Sequence, residues 1–217
     1  MTEENAGSES MHLTKSRLES LSDGIFAFAM TLLVIGLNLP DKSAIVPTQA
    51  YALQYLLSLY SDFFHYVLAF LILGAFWLSH HIEVHPLRSL DRIYIWLNLG
   101  TLLFVALLPF STSFSGDFHM VSLGAIVFEL NLFAIGMGMY FQWIYATGHD
   151  RLVEPKELDS NFIRHVGIHS LVVPSLSCIG ILIALTGNLY STAVYLFIPV
   201  VAYLITRVES KKQASPL

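Results

Sequence analysis

Charge is the first thing this sequence is short of. Asp, Glu, Lys and Arg supply 12% of its 217 residues, while 55% are apolar; soluble domains carry about 25% charged residues. That balance excludes a water-soluble domain and leaves an integral membrane protein of several spans. Cysteine is scarcer still. Cys178 stands alone in an apolar segment, so no disulfide framework can form. The first ten residues are polar, with three Glu, and lack a basic n-region. No cleaved leader is therefore expected, and the first span would act as its own signal anchor. Phosphate-binding loops, haem-attachment patterns and nucleophile–base pairs are missing as well, so no enzymatic activity is expected. No internal repeat relates residues 1–110 to 111–217. The formal charge of −5 comes from acids scattered through tails and loops, and no nucleic-acid partner is expected.

What is present is a set of apolar runs. Six spans are expected, at about 20–39, 62–79, 92–110, 120–146, 165–186 and 189–206. The first stops at Leu39-Pro40-Asp41, where Pro40 cannot extend a helix. A short amphipathic surface helix follows Pro47, and Gly136-Met137-Gly138 is expected to break the fourth span. A polar tail over 1–14 and a basic tail over 208–217 flank a transmembrane domain over 15–207. Ten of the eleven Lys and Arg fall on one side of this arrangement, leaving Lys42 alone on the other. The positive-inside rule then places both termini in the cytoplasm.

The first span opens on a polar cluster, Arg17, Glu19, Ser22 and Asp23, that passes straight into apolar sequence. At about 100° per residue, Gly24, Phe28, Thr31, Leu32, Ile35 and Leu39 share one stripe, with Asn38 at its margin. A lone hydroxyl between apolar layers suits a face that meets protein or water; equally, Thr31 can bond back to its own helix. Glu19 and Asp23 are like charges four apart. Arg17 is six before Asp23, on a different face, so the cluster is expected to find partners on other helices.

Three further groups carry potential chemistry. His80, His81, Glu83 and His85 form an H-H-x-E-x-H cluster with ligand types suited to zinc. Adjacent histidines diverge on a helix, however, and hydrogen bonding across helices is the preferred reading. Glu129, with Asn131 nearby, is an intramembrane carboxylate and a secondary functional candidate. Ala134, Gly136 and Gly138 read as a close-packing surface. His65 and His169 are the histidines nearest the apolar zone, and their depths do not match as a haem pair.

Arg17-x4-Ser22-Asp23-Gly24 at the head of the first span resembles the R-x-x-x-F-S-D signature of the transmembrane protein 175 family of potassium channels. Phe76-Trp77-x-x-His80-His81, Trp96-Leu97-Asn98-Leu99 and Ala106-Leu107-Leu108-Pro109-Phe110 continue the resemblance in order over three spans. The resemblance implies an all-α prokaryotic channel with six helices per chain, a homotetramer whose first helices line the pore. The Thr-Val-Gly-Tyr-Gly filter of ordinary potassium channels is absent from that family and from this chain. By the same resemblance Phe28 forms the constriction layer, Thr31 a threonine layer and Ile35 a further apolar layer. Arg17, Ser22 and Asp23 would bond with Trp77 and with His80 or His81. Two positions depart from the family pattern. Leu21 replaces the signature Phe, and Phe28 stands where Ile or Leu is usual, offering a cation the negative faces of its rings.

The expected function is passive, potassium-favouring conduction across a bacterial or archaeal plasma membrane. No cofactor is implied; monovalent cations, the bilayer and copies of the chain are the partners. A proton-coupled secondary transporter using Glu129 and histidines is the rival reading, and a metal-dependent membrane enzyme the third.

Overall fold

The computed structural model describes residues 15–37, 48–148, 152–153, 159–187, 191–202, 205 and 207. The tails over 1–14 and 208–217, the stop at Leu39-Pro40-Asp41, Asn38 and Lys42 lie outside them. Within the described residues the chain is helical. Helix α1 spans Lys15–Leu32 and tightens into a 3-10 turn at Leu33–Gly36. Helix α2 covers Gln49–Ser58 and α3 Tyr60–Val84. Helices α4, Arg92–Asp117, and α5, Ser122–Gly148, are the longest. Helices α6, Ser160–Ser170, and α7, Val172–Leu185, are interrupted only at Leu171. A 3-10 turn over Ser191–Phe197 opens a last short helix.

Five of these stretches are long and apolar enough to cross a membrane: Lys15–Gly36, Tyr60–Val84, Arg92–Asp117, Ser122–Gly148 and Ser160–Leu185. In place of the sixth expected span, the described residues show a shorter apolar helix, Ser191–Ala202. The expected boundaries erred mostly by stopping early. Ser111-Thr112-Ser113 reads as loop by composition, yet α4 runs on through it to Asp117. The side chains of Ser111 and Thr112 both donate to the carbonyl of Leu108, at 3.0 and 2.8 Å, beside Pro109. Hydroxyls in a dry environment are satisfied by a carbonyl of their own helix, so their polarity does not end it.

Helix starts follow capping chemistry. Asp91 accepts from the backbone N–H of Tyr94 at 2.8 Å to begin α4, Thr48 from Tyr51 at 3.2 Å to begin α2, and Asp159 from Asn161 at 3.2 Å to begin α6. The expected break at Gly136 and Gly138 does not occur, since α5 continues through both. A Cβ on Gly136 would lie 2.5 Å from Cγ of Pro174, and one on Gly138 2.4 Å from Oγ1 of Thr101. These glycines let α7 and α4 approach α5 closely.

Helix α5 is the centre of the bundle, packed between α4 and α7, and α1 lies against α4 and α3. One core joins Phe26 and Leu33 of α1 to Leu73, Leu108, Leu132 and Ile135. A second, smaller core sits at the end where α1 begins, around Leu18, Val84, Tyr94 and Leu152. There the backbone N–H of Arg88 donates to Leu152 O at 2.9 Å, linking the stretches after α3 and α5. This is the end that holds Arg88 and Arg92; α1 finishes and α3 begins at the opposite, far end.

Candidate functional site

Helix α1 has two unlike faces. Leu18, Ser22, Phe26, Ala29 and Leu33 recur at spacings of four and three and are buried against α3 and α4. Gly24, Phe28, Thr31, Leu32 and Ile35 fall on the other side and are exposed. Phe28 is 71% and Ile35 68% exposed, although the residues immediately behind them are almost fully covered. An apolar groove of about 270 Å³ runs along this face between α1 and α4, lined by Leu21, Gly24, Phe28, Leu32 and Ala106. Thr31 Oγ1 donates to Phe28 O at 2.8 Å, so its proton stays within the helix and its lone pairs face outward. The 3-10 turn changes the spacing of the stripe. With a rise of about 1.5 Å per α-helical residue and about 2 Å per 3-10 residue, Phe28 and Ile35 are separated by about 12 Å along the axis. Gly36 ends this helix against α4, where a Cβ would meet Ser113 Oγ at 2.2 Å.

Behind the exposed face lies a closed network of buried side chains. Asn98 Nδ2 donates to His80 Nε2 at 2.8 Å and to Gln142 Oε1 at 3.1 Å. Its Oδ1 accepts from Ser22 Oγ at 3.4 Å. Gln142 Nε2 in turn donates to Thr101 Oγ1 at 2.7 Å and to Gly138 O at 3.2 Å. Four helices, α1, α3, α4 and α5, are thereby tied at one level, with every amide hydrogen and oxygen of Asn98 and Gln142 in use.

The expected polar cluster divides. Ser22 enters the buried network; Asp23, on the surface, accepts from Trp77 Nε1 at 2.8 Å. His80, not His81, is the buried histidine, while His81 is exposed and stacks on Trp77 with ring centroids 6.3 Å apart. Arg17 is exposed and forms no ion pair among the described residues. Glu19 finds its counter-charge within its own helix, 3.9 Å from Lys15 Nζ. Within one chain, Asp23 thus rests on an indole rather than on a buried arginine. Trp77→Phe is expected to lower stability by about 1 kcal/mol. Asp23→Asn should cost less, because an amide oxygen still accepts from the indole. Thermal unfolding of the two variants checks the order. A larger loss in Asp23→Asn would show that its charge is used, as it would be against Arg17 of another copy.

The H-H-x-E-x-H cluster is split between faces: His80 and Glu83 point into the bundle, His81 and His85 outward. Glu83 Oε1 accepts from Ser170 Oγ at 2.7 Å. No group of three His, Cys, Asp or Glu side chains is close enough to hold a metal among the described residues. Glu129 is fully buried in α5, far from the exposed face of α1, and accepts a short hydrogen bond from the hydroxyl of Tyr195. Asn131 Nδ2 donates to Ser111 Oγ at 3.0 Å. Gln142 and Thr101 carry no motif and were not among the expected site residues. Their signal is that an amide and a hydroxyl inside long apolar runs must find partners.

Residues 17–109 match the family described as endosomal/lysosomal potassium channel TMEM175. A potassium channel of Streptomyces collinus is 28% identical over 144 residues, 64% of this chain and 68% of the relative. The human endosomal/lysosomal proton channel TMEM175 is 33% identical over 101 residues, 45% of this chain but 20% of that protein. The fold is that of a solved TMEM175 homologue from Chamaesiphon minutus, described as a lysosomal potassium-selective channel homologue. The TM-score is 0.73 at 21% identity, covering 90% of this chain and 97% of that one.

Proposed function

We propose that this chain, a relative of the TMEM175 channels, forms a homotetramer in which four α1 helices enclose a passive, potassium-favouring cation path. The observation that supports it is the bare face of α1. A helix packed along one side leaves Gly24, Phe28, Thr31 and Ile35 uncovered along the other, with apolar side chains at two levels and a hydroxyl between them. Four such faces brought together make a narrow path that excludes water at the rings and offers oxygen at the threonines. The one-sided Lys and Arg distribution supports cytoplasmic termini, in a prokaryotic plasma membrane. Support for the transporter reading is weaker. Glu129 bonds to Tyr195 on the last helix, and of the histidines His80 and His81 sit at the other end of the bundle. His65 and His119 lie near its end but share no hydrogen bond with it among the described residues.

Reconstitution in planar bilayers tests the proposal. Unitary currents whose reversal potential follows the potassium gradient, with sodium and proton gradients set against it, are the expected result. Saturable flux with a fixed ion-to-proton ratio and no unitary currents would replace it with a transporter. Thr31→Val keeps the shape of the side chain and removes its oxygen. We expect a lower potassium-to-sodium permeability ratio and unchanged thermal stability, since the lost bond is an exposed one to the residue's own helix. An unchanged ratio would reduce Thr31 to that local bond.

A further inference from the structure

Glu129 has no role in the α1 path, yet its surroundings are built for it. Its side chain is fully buried, one oxygen accepts from the Tyr195 hydroxyl, and the other, Oε1, has no hydrogen-bond partner. Tyr195 is itself buried and stands 2.8 Å from Ser177 Oγ, whose hydroxyl also reaches Val173 O at 3.0 Å. The flank of Oε1 is closed by Gly180, where a Cβ would lie 2.3 Å away. Phe128 covers the group from the neighbouring position of α5, with the ring of Tyr195 set edge-on at 6.1 Å. No Lys or Arg among the described residues pairs with this carboxyl. A bare carboxylate here would be an uncompensated charge inside apolar protein. Calcium or magnesium needs about six oxygen ligands and zinc about four, mostly nitrogen or sulfur; this pocket supplies a carboxyl and two hydroxyls already bonded to each other, with Gly180 pressed against the free oxygen. Only a proton fits.

A small cavity lies one turn away from it, toward the far end. Ala125 is one helical turn before Glu129 on α5, and Thr192 is three residues before Tyr195. Both line a small cavity of about 10 Å³ at the far end, together with His65, Ser115, His119 and Ser122. That volume suits a single water, and hydroxyl and imidazole groups surround it. The geometry points to Glu129 as a proton-binding site of the outer helices, closed by Tyr195 and Ser177 and reached from the far end through this cavity. The titratable groups that face the site and its cavity are Tyr195 on the last helix, Cys178 on α7, His65 on α3 and His119 after α4. Asp62 and Asp117 lie beside these histidines. Helix α4 contributes Ser115 to the cavity, a hydroxyl without charge.

Infrared difference spectra of the full chain in liposomes, taken as the bath pH is moved, test this. The expected result is a protonated-carboxyl carbonyl band that is gained and lost with pH and shifts in D₂O. The component that belongs to Glu129 is lost in Glu129→Gln, and in Tyr195→Phe it changes frequency without being lost. Thr192→Val, which removes a cavity hydroxyl at nearly constant shape, slows its deuterium exchange several-fold. The buried Glu83 can give a band of its own, so the decisive comparison is the difference between wild type and Glu129→Gln: identical spectra in the two overturn the site. Should that variant fail to fold, a wild-type band that neither titrates nor exchanges overturns it as well. Equal exchange in Thr192→Val overturns the route. The readout is vibrational, so it stands or falls separately from any current through the α1 face.

Discussion

Phe28→Ala is expected to raise single-channel conductance several-fold and to weaken discrimination among monovalent cations. In the proposed assembly, Phe28 brings the largest side chain on the uncovered face of α1, and the described residues leave most of it exposed. Four such rings facing one axis exclude water by size and by the cost of wetting an apolar constriction. Truncation to Ala opens the layer; Phe28→Asn should wet it by a different means, through polarity at similar length. Because the ring is 71% exposed in the chain, neither change removes a buried contact of the single bundle, so its thermal stability should hardly move. Ile35→Ala should act in the same direction but less, since the layer it forms is wider to begin with. It also stands about 12 Å away, beyond the change to 3-10 geometry, so its effect should add to that of Phe28. Currents unchanged in both Phe28 variants, with the tetramer weakened, would mean that the ring packs against a neighbouring helix and that the path lies on another face.

Much of this was legible because helical periodicity sorts side chains by face. Phe28, Thr31 and Ile35 share a stripe in the sequence and an uncovered face in the fold, and Ser22 falls on the opposite, buried side. The partners of that side were harder to read. Trp77 and His80 could be proposed through a family resemblance, but choosing His80 over His81 requires the rotation of α3 about its axis, which one sequence does not fix. Gln142 was missed because a single amide in α5 has no periodic signature; its meaning comes only from Asn98 and Thr101 on α4 lying opposite. Arg17 could not be placed for a related reason. A charge near a membrane span suggests a pair on another helix, whereas this one sits at the exposed first turn of α1 with no ion pair among the described residues, open to a second copy. Gly136 and Gly138 were read both as close-packing residues and as a helix break, and only the first holds. Packing against Pro174 and Thr101 outweighs their poor helix propensity, of about 1 kcal/mol each.

Asn98→Leu should be the most destabilising single change in the tie between α1 and the rest of the bundle. Asn98 is fully buried and serves Ser22, His80 and Gln142 at once. Its removal leaves three buried polar atoms without a partner. Interhelical bonds in membranes are worth about 0.6 kcal/mol on average and up to about 1.7, so losing three costs about 2–5 kcal/mol. The branched side chain must also fit a space shaped for a planar amide. Beyond the loss of thermal stability, α1 should lose its rotational setting, since Ser22 is the only α1 residue in this network. Conduction should therefore become heterogeneous even in molecules that stay folded. Gln142→Leu alone should cost less, because Asn98 keeps Ser22 and His80. The decisive comparison is the double variant. If the amides stabilise mainly by satisfying each other, Asn98→Leu with Gln142→Leu should cost clearly less than the sum of the two single changes, as one orphaned group is removed along with its partner. Strict additivity in thermal unfolding would mean that the two amides act independently and that the four helices are held at this level by apolar packing alone.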